Sequence, residues 1–291
     1  MRDVTVPRPH GRTLRARDDG VPDGVPVFGF HGTPGCRLMF PGHLAAAQRH
    51  GIRLLSYDRP GYGDSSEQRG RTVGDVADDV AAIADHLGID RFAVWGHSGG
   101  GDCALACAAR LGPRVVAAAS LAGVAPYPAE GLDPMAGAGE PNRADFELML
   151  NDPAAWEAKN AAEAAAMANA TPEAAKEFLK GLCSPVDLAA LTDPLAEFLA
   201  TQIREAMKHG WAGLRDDNLA DVRPWGFDLA AIRVPVQLWH GDQDRFVPFA
   251  HGQWLAARIP GVDAHLQPGE GHLTLYVDRV PEAEAWLAAQ F

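Results

Sequence analysis

Arg91-Phe92-Ala93-Val94-Trp95-Gly96-His97-Ser98-Gly99-Gly100-Gly101-Asp102-Cys103 is the stretch on which the reading of this chain turns. An apolar run ends at Gly96, a serine follows among small residues, and a run without helix breakers extends from Asp102 to Leu111. The first part reads as a short buried strand and the last as a helix. A strand that reverses sharply into a helix forces the residue at the turn into a strained conformation. Its neighbours two before and two after must then be small, which is the logic of Gly-x-Ser-x-Gly. The serine hydroxyl stands above the sheet edge at a helix N-terminus, where a developing negative charge is stabilised. The plain alternative is a tight turn whose serine only caps the helix.

Length and composition bound the rest. The chain has 291 residues, 47% of them hydrophobic and 22% charged, enough for one large α/β domain or one domain carrying an insertion. With 26 Lys plus Arg against 38 Asp plus Glu, the net charge is −12, which disfavours phosphate backbones and anionic membranes as partners. The segment Met1–Pro7 lacks the apolar core of a signal peptide, and no stretch approaches the length of a membrane span. Cys36, Cys103, Cys107 and Cys183 form no Cys-x-x-Cys pair and read as small buried residues in a reducing, cytoplasmic compartment. No metal site and no cofactor motif is expected.

Along the chain, strands and helices alternate. A hairpin is expected over Val4–Arg17 and strands over Val25–Phe30, Ile52–Tyr57, Arg91–Gly96, Val115–Ala122, Val236–Trp239 and Ala264–Gln267. Helices are expected over Leu38–His50, Val73–Leu87, Asp102–Leu111, Ala250–Ile259 and Val280–Gln290. That alternation predicts an α/β fold with a mostly parallel, doubly wound sheet. From Pro126 to Trp225 no strand is expected; helices are expected over Ala144–Leu150, Pro153–Asn169, Pro172–Leu182 and Pro194–His209. Thr171-Pro172 and Asp193-Pro194 have the form of helix starts. We expect a core of residues 1–125 and 226–291 and an inserted helical cap, or lid, of residues 126–225 overhanging the carboxyl ends of the strands, where such sheets bind ligands.

A serine hydroxyl needs a base, and the base needs an orienting acid. After a turn of this kind the acid comes next along the chain and the histidine last. His240-Gly241-Asp242-Gln243-Asp244 stands at a strand end, and Gly269-Glu270-Gly271-His272 follows the last strand. Asp244 is preferred to Asp242 because it lies further into its loop; Asp242 reads as a turn-capping carboxylate. Acyl transfer also requires two donors for an oxyanion. Gly99 N–H follows the serine, and in His31-Gly32-Thr33-Pro34-Gly35 the natural second donor is Thr33, since Pro34 has no N–H.

With these pieces in order the chain resembles the α/β-hydrolase superfamily of serine hydrolases. The matching residues are His31-Gly32-Thr33, Asp58-Arg59-Pro60-Gly61-Tyr62-Gly63-Asp64-Ser65, Gly96-His97-Ser98-Gly99-Gly100, Gly241-Asp242-Gln243-Asp244 and Gly271-His272. The resemblance implies Ser98 as nucleophile, Asp244 as acid, His272 as base, and an oxyanion hole from Thr33 and Gly99. It assigns the Asp58–Ser65 turn a structural role only. The expected reaction is hydrolysis of a carboxylic ester or related acyl bond of a small, apolar substrate.

Three alternatives share the fold. An aminopeptidase would need acids near the pocket to hold a substrate amine, with Glu130, Asp133, Glu140 and Glu147 as candidates. A lactone or carbon–carbon bond hydrolase would use the same triad. A ligand-binding protein would keep a slow one. Phe146, Met149, Trp156, Met167, Phe178, Phe198 and Trp211 supply the apolar interior of the insertion, and some of them a pocket wall.

Overall fold

The computed structural model describes all 291 residues. An eight-stranded sheet runs through it: β1 (Arg2–Pro7), β2 (Thr13–Gly20), β3 (Val25–Phe30), β4 (Ile52–Tyr57), β5 (Phe92–His97), β6 (Val115–Leu121), β7 (Val236–Gly241) and β8 (Asp263–Gln267). Their spatial order is β1-β2-β4-β3-β5-β6-β7-β8; the pairs β1–β2 and β2–β4 at one edge are antiparallel, and every pair from β4–β3 onward is parallel. Burial follows from that arrangement. The central strands β5 and β6 are buried at every residue, because helices cover both faces of a parallel sheet. At the antiparallel edge only one face is covered, and β2 sends Leu14 and Ala16 inward between more exposed neighbours.

Helices α1 (Pro41–Arg49), α2 (Val76–His86) and α3 (Gly101–Arg110) fill the crossovers of the first half. The expected helix Val73–Leu87 opens with a tight turn, Val73–Asp75, where Asp75 Oδ2 accepts from Thr72 N–H at 2.8 Å. The predicted strands and helices of the sheet recur within a few residues of their expected ends. At α1 the difference is three residues, because Pro41, not Leu38, opens the helix.

Between β6 and β7 the chain forms six helices and no strand: α4 (Glu140–Asn151), α5 (Pro153–Met167), α6 (Pro172–Lys180), α7 (Pro185–Ala190), α8 (Asp193–Met207) and α9 (Ala212–Asp221). Side-chain caps start three of them: Asp152 accepts from Ala155 N–H, Thr171 from Ala174 N–H and Ser184 from Asp187 N–H. Two of the six, α7 and α9, lie outside the expected helices. Ser184-Pro185-Val186-Asp187 did carry a start signal, a capping serine followed by proline and an acid. No such signal precedes α9, whose first residues follow Trp211 without a side-chain cap. Leu191, Leu195 and Ala196 of this insertion pack with Trp95, Leu121 and Trp239 of the sheet, so the insertion shares the core. Trp156 is its most deeply buried aromatic and meets Trp211 edge to face at 5.7 Å. Phe178, expected among its apolar interior, is instead 58% exposed.

The last third adds α10 (Phe249–Ala256), the short α11 (His272–Thr274), a wide helical turn Leu275–Arg279 and α12 (Val280–Ala288). No helix is long and apolar enough to cross a membrane.

Sheet order decides where chemistry can sit. The chain passes from β3 to β4 on one side, then returns to place β5 on the other side of β3. The loops after β3 and β5 therefore diverge and open a crevice at the strand carboxyl ends. Register does the rest: Phe30 lies opposite Gly96, and Gly241 lies opposite Gln267. The first pairing sets His31–Thr33 beside Ser98, and the second sets the Asp244 loop beside the His272 loop.

Candidate active site

Ser98 has a φ of 57°, in the left-handed region that costs a non-glycine residue about 1–2 kcal/mol. The glycines around it are required by contact. A Cβ on Gly96 would collide with the Gly100 carbonyl, and one on Gly100 would collide with the carbonyl of Phe30. The strained turn aims the first turns of the following helix at the serine, with Gly99 N–H next in the chain.

His272 and Asp244 are both buried, and His272 Nδ1 donates to Asp244 Oδ2 at 2.7 Å. The other carboxylate oxygen accepts from Phe246 N–H at 2.8 Å and Val247 N–H at 2.9 Å, so the carboxylate bonded to His272 is itself held in place. The Phe246 ring stacks on the imidazole, centroids 4.6 Å apart. His97, the variable residue of the turn, donates from Nε2 to the His272 carbonyl at 3.0 Å, with the two rings 4.4 Å apart. Burial, with the nearby His272 adding to it, holds His97 far below the ordinary histidine range, so it serves as a neutral strut. Ser98 Oγ makes no hydrogen bond to His272 in this structure. Such bonds commonly tighten only when substrate is bound. Asp242, expected to cap its own turn, instead accepts from Gly269 N–H at 2.8 Å through Oδ1 and ties the two loops together.

The loop after β3 lies against the serine. A Cβ on Gly32 would stand 3.3 Å from Ser98 Cβ, and one on Gly99 would strike the Thr33 hydroxyl. Thr33 N–H has no hydrogen-bond partner within the protein and faces the same neighbourhood as Gly99.

Two carboxylates from the insertion complete the surroundings, and neither was expected. Asp187 of α7 is buried and accepts from Leu273 N–H at 2.7 Å, Thr274 N–H at 3.3 Å and Ser184 Oγ at 2.9 Å. It therefore caps the helix that begins at His272, and it occupies the space that any side chain at Gly271 would need. Asp217 of α9 accepts from Arg59, Arg71, Tyr62 and Thr33. Burial alone would raise its pKa; the Arg59 and Arg71 guanidiniums outweigh burial and hold it well below the usual carboxylate range. Arg59 belongs to the Asp58–Ser65 turn, which thus reaches the site directly.

No cluster of His, Cys, Asp or Glu has metal-binding geometry, and all four cysteines are free and buried. Glu130, Asp133, Glu140 and Glu147 are all exposed. A surface groove of about 440 Å³ runs along the outside of the Asp244 loop, between Ser184 and Gln253, without reaching Ser98 or His272.

A family model described as alpha/beta hydrolase fold matches residues 25–278. A non-heme haloperoxidase of Rhodococcus erythropolis is 26% identical over 86% of this chain and 86% of its own. The AB hydrolase superfamily protein YisY of Bacillus subtilis is 28% identical over 96% of this chain and 95% of its own. Among solved structures, a bromoperoxidase from Bacillus anthracis superposes with a TM-score of 0.72 at 21% identity, covering 98% of each chain.

Proposed function

The chain belongs to the alpha/beta hydrolase fold family and is a hydrolase, and on that premise we propose that it cleaves a carboxylic ester or related acyl bond through Ser98, His272 and Asp244. The observation that carries this reading is the buried 2.7 Å His272–Asp244 bond, in the loop next to a serine held at a left-handed φ. In this mechanism His272 takes the Ser98 proton as the hydroxyl attacks the acyl carbon. The carbonyl oxygen becomes an oxyanion held by the N–H groups of Thr33 and Gly99. The tetrahedral adduct collapses, His272 gives the proton to the leaving alcohol, and an acyl-serine remains. Water, deprotonated by His272, attacks that ester and regenerates Ser98. Asp244 keeps the imidazole in the right tautomer and stabilises its cation. Residues 126–225 act as a cap that selects a small apolar acyl group.

An aminopeptidase role is disfavoured by the exposure of all four acids proposed to hold a substrate amine. The test is a panel of short p-nitrophenyl esters, lactones and aminoacyl amides, together with fluorophosphonate labelling. Peroxide-dependent halide oxidation belongs in the panel because two of the similar proteins are named as peroxidases. Ester turnover with labelling at Ser98 is expected, and Ser98→Ala should lose about three or more decades of rate. Undiminished turnover in Ser98→Ala would sink the assignment; slow labelling without turnover would favour a binding role.

A further inference from the structure

We propose that Asp217, on the last inserted helix, is a positioning residue that fixes the oxyanion loop by holding the Thr33 hydroxyl. The proposal rests on the reading of Thr33 as an oxyanion donor.

Three consecutive residues of the β3 loop are gripped from one side. Arg59 Nη1 donates to the His31 carbonyl, and Arg59 Nη2 donates to the Gly32 carbonyl at 3.1 Å and to Thr33 Oγ1 at 3.0 Å. Thr33 Oγ1 in turn donates to Asp217 Oδ2 at 2.9 Å. The same carboxylate holds Arg59 itself, through Nη2 at 2.6 Å, and receives Tyr62 OH at 2.8 Å and Arg71 Nη2 at 2.6 Å. Asp217, Arg59 and Arg71 are all buried, so these bonds are little screened by water.

The bonding pattern separates the two polar groups of Thr33. Its hydroxyl donates once and accepts once, so its proton is committed to Asp217. The main-chain N–H is the one donor that Thr33 leaves free for an oxyanion. The hydroxyl also stands where a Cβ of Gly99 would be, which sets the spacing between the two proposed donors. An oxyanion donor has to lie about 2.7–3.1 Å from the oxygen it stabilises. A misplacement of about 1 Å in such a site can cost about a hundredfold in rate. A buried ion cluster with only a structural role would lower stability and leave the folded enzyme's turnover alone.

The experiment compares Thr33→Val, Thr33→Ser and Asp217→Asn with wild type in ester kinetics, fluorophosphonate labelling and thermal melting. Thr33→Val removes the tether but keeps the main-chain donor and the Arg59–Asp217 pair. It should lower kcat and the labelling rate about 10–100-fold, with KM within about threefold and an unchanged melting curve. Thr33→Ser should restore both rates to within about threefold of wild type. Asp217→Asn should show the same kcat-selective loss. If Asp217→Asn does not fold, the Thr33 pair still decides. Wild-type kcat and labelling in folded Thr33→Val would overturn the proposal, as would an equal loss in Thr33→Val and Thr33→Ser. If wild type itself neither turns over any acyl substrate nor labels at Ser98, the hydrolase mechanism falls and takes this inference with it.

Discussion

The strand ends of the sheet and the helices inserted between β6 and β7 meet at the same place but contribute different things. The strand ends supply Ser98, Asp244, His272 and the main-chain donors, each on a short loop fixed by strand register. The insertion supplies none of the groups proposed to react, yet two of its buried aspartates, Asp187 and Asp217, each hold one side of the site. Asp187 holds the loop of the histidine through two main-chain N–H groups, and Asp217 holds the loop of the proposed oxyanion donor through side chains. Buried carboxylates are tolerated where every oxygen is satisfied, and these two are. The lesson is that an insertion read as a cover is also part of the frame.

That division can be broken by substitution. Asp244→Asn, on the core side, should leave the fold intact and lower kcat about 10³-fold or more, because the imidazole loses its orienting charge and tautomer control. Steady-state kinetics beside a circular dichroism spectrum check this; a loss below tenfold would move the acid role elsewhere. Asp187→Ala, on the insertion side, strands two buried N–H groups and the Ser184 hydroxyl. It should cost about 2–3 kcal/mol of stability in denaturant melts, with a roughly tenfold fall in kcat from a looser His272 loop. Equal stability and equal kcat would show that the insertion does not frame the histidine.

The smallest effect concerns a core acid that lacks what the insertion acids have. Glu284 on α12 is fully buried, with neither carboxylate oxygen hydrogen-bonded, and burial pushes its pKa up from 4.5 to about 8. The folded state therefore keeps a proton that the unfolded chain loses. The resulting stability is fully present below pH 4.5 and is lost as the pH rises to about 8. Glu284→Met should match wild type at low pH and gain on it progressively as the pH rises from 4.5 to about 8, measured by urea melts across pH. Parallel pH curves for the two proteins would contradict the buried, proton-holding role.

The two regions also differ in how far they can be read from sequence. Gly96-His97-Ser98-Gly99-Gly100 announces its turn because a backbone with positive φ and close carbonyl contacts admits few residue types. Asp244 and His272 follow from strand ends and chain order. Asp187 had a local signal in Ser184-Pro185-Val186-Asp187, a helix start, but nothing in that tetrapeptide says what else the carboxylate will touch. Asp217 had none. It sits in an uncapped helix between Asp216 and Asn218, where the pattern reads as a solvated face. Nothing local to Arg59 or Arg71 marks them as buried partners of that carboxylate. The exposed Phe178 shows the reverse error, an apolar residue of an amphipathic helix that the fold leaves outside.

The sequence by itself determined the alternation of strands and helices, the place of the insertion and the groups proposed to react, because periodicity, turn chemistry and chain order are local properties. The tertiary structure alone decided which loops meet at the crevice beside β3 and which distant charges hold them. Those pairings join residues 86 and 184 positions apart, as in Leu273 with Asp187 and Thr33 with Asp217. Such contacts are fixed by how the insertion packs on the sheet, and no local pattern in the chain records that packing.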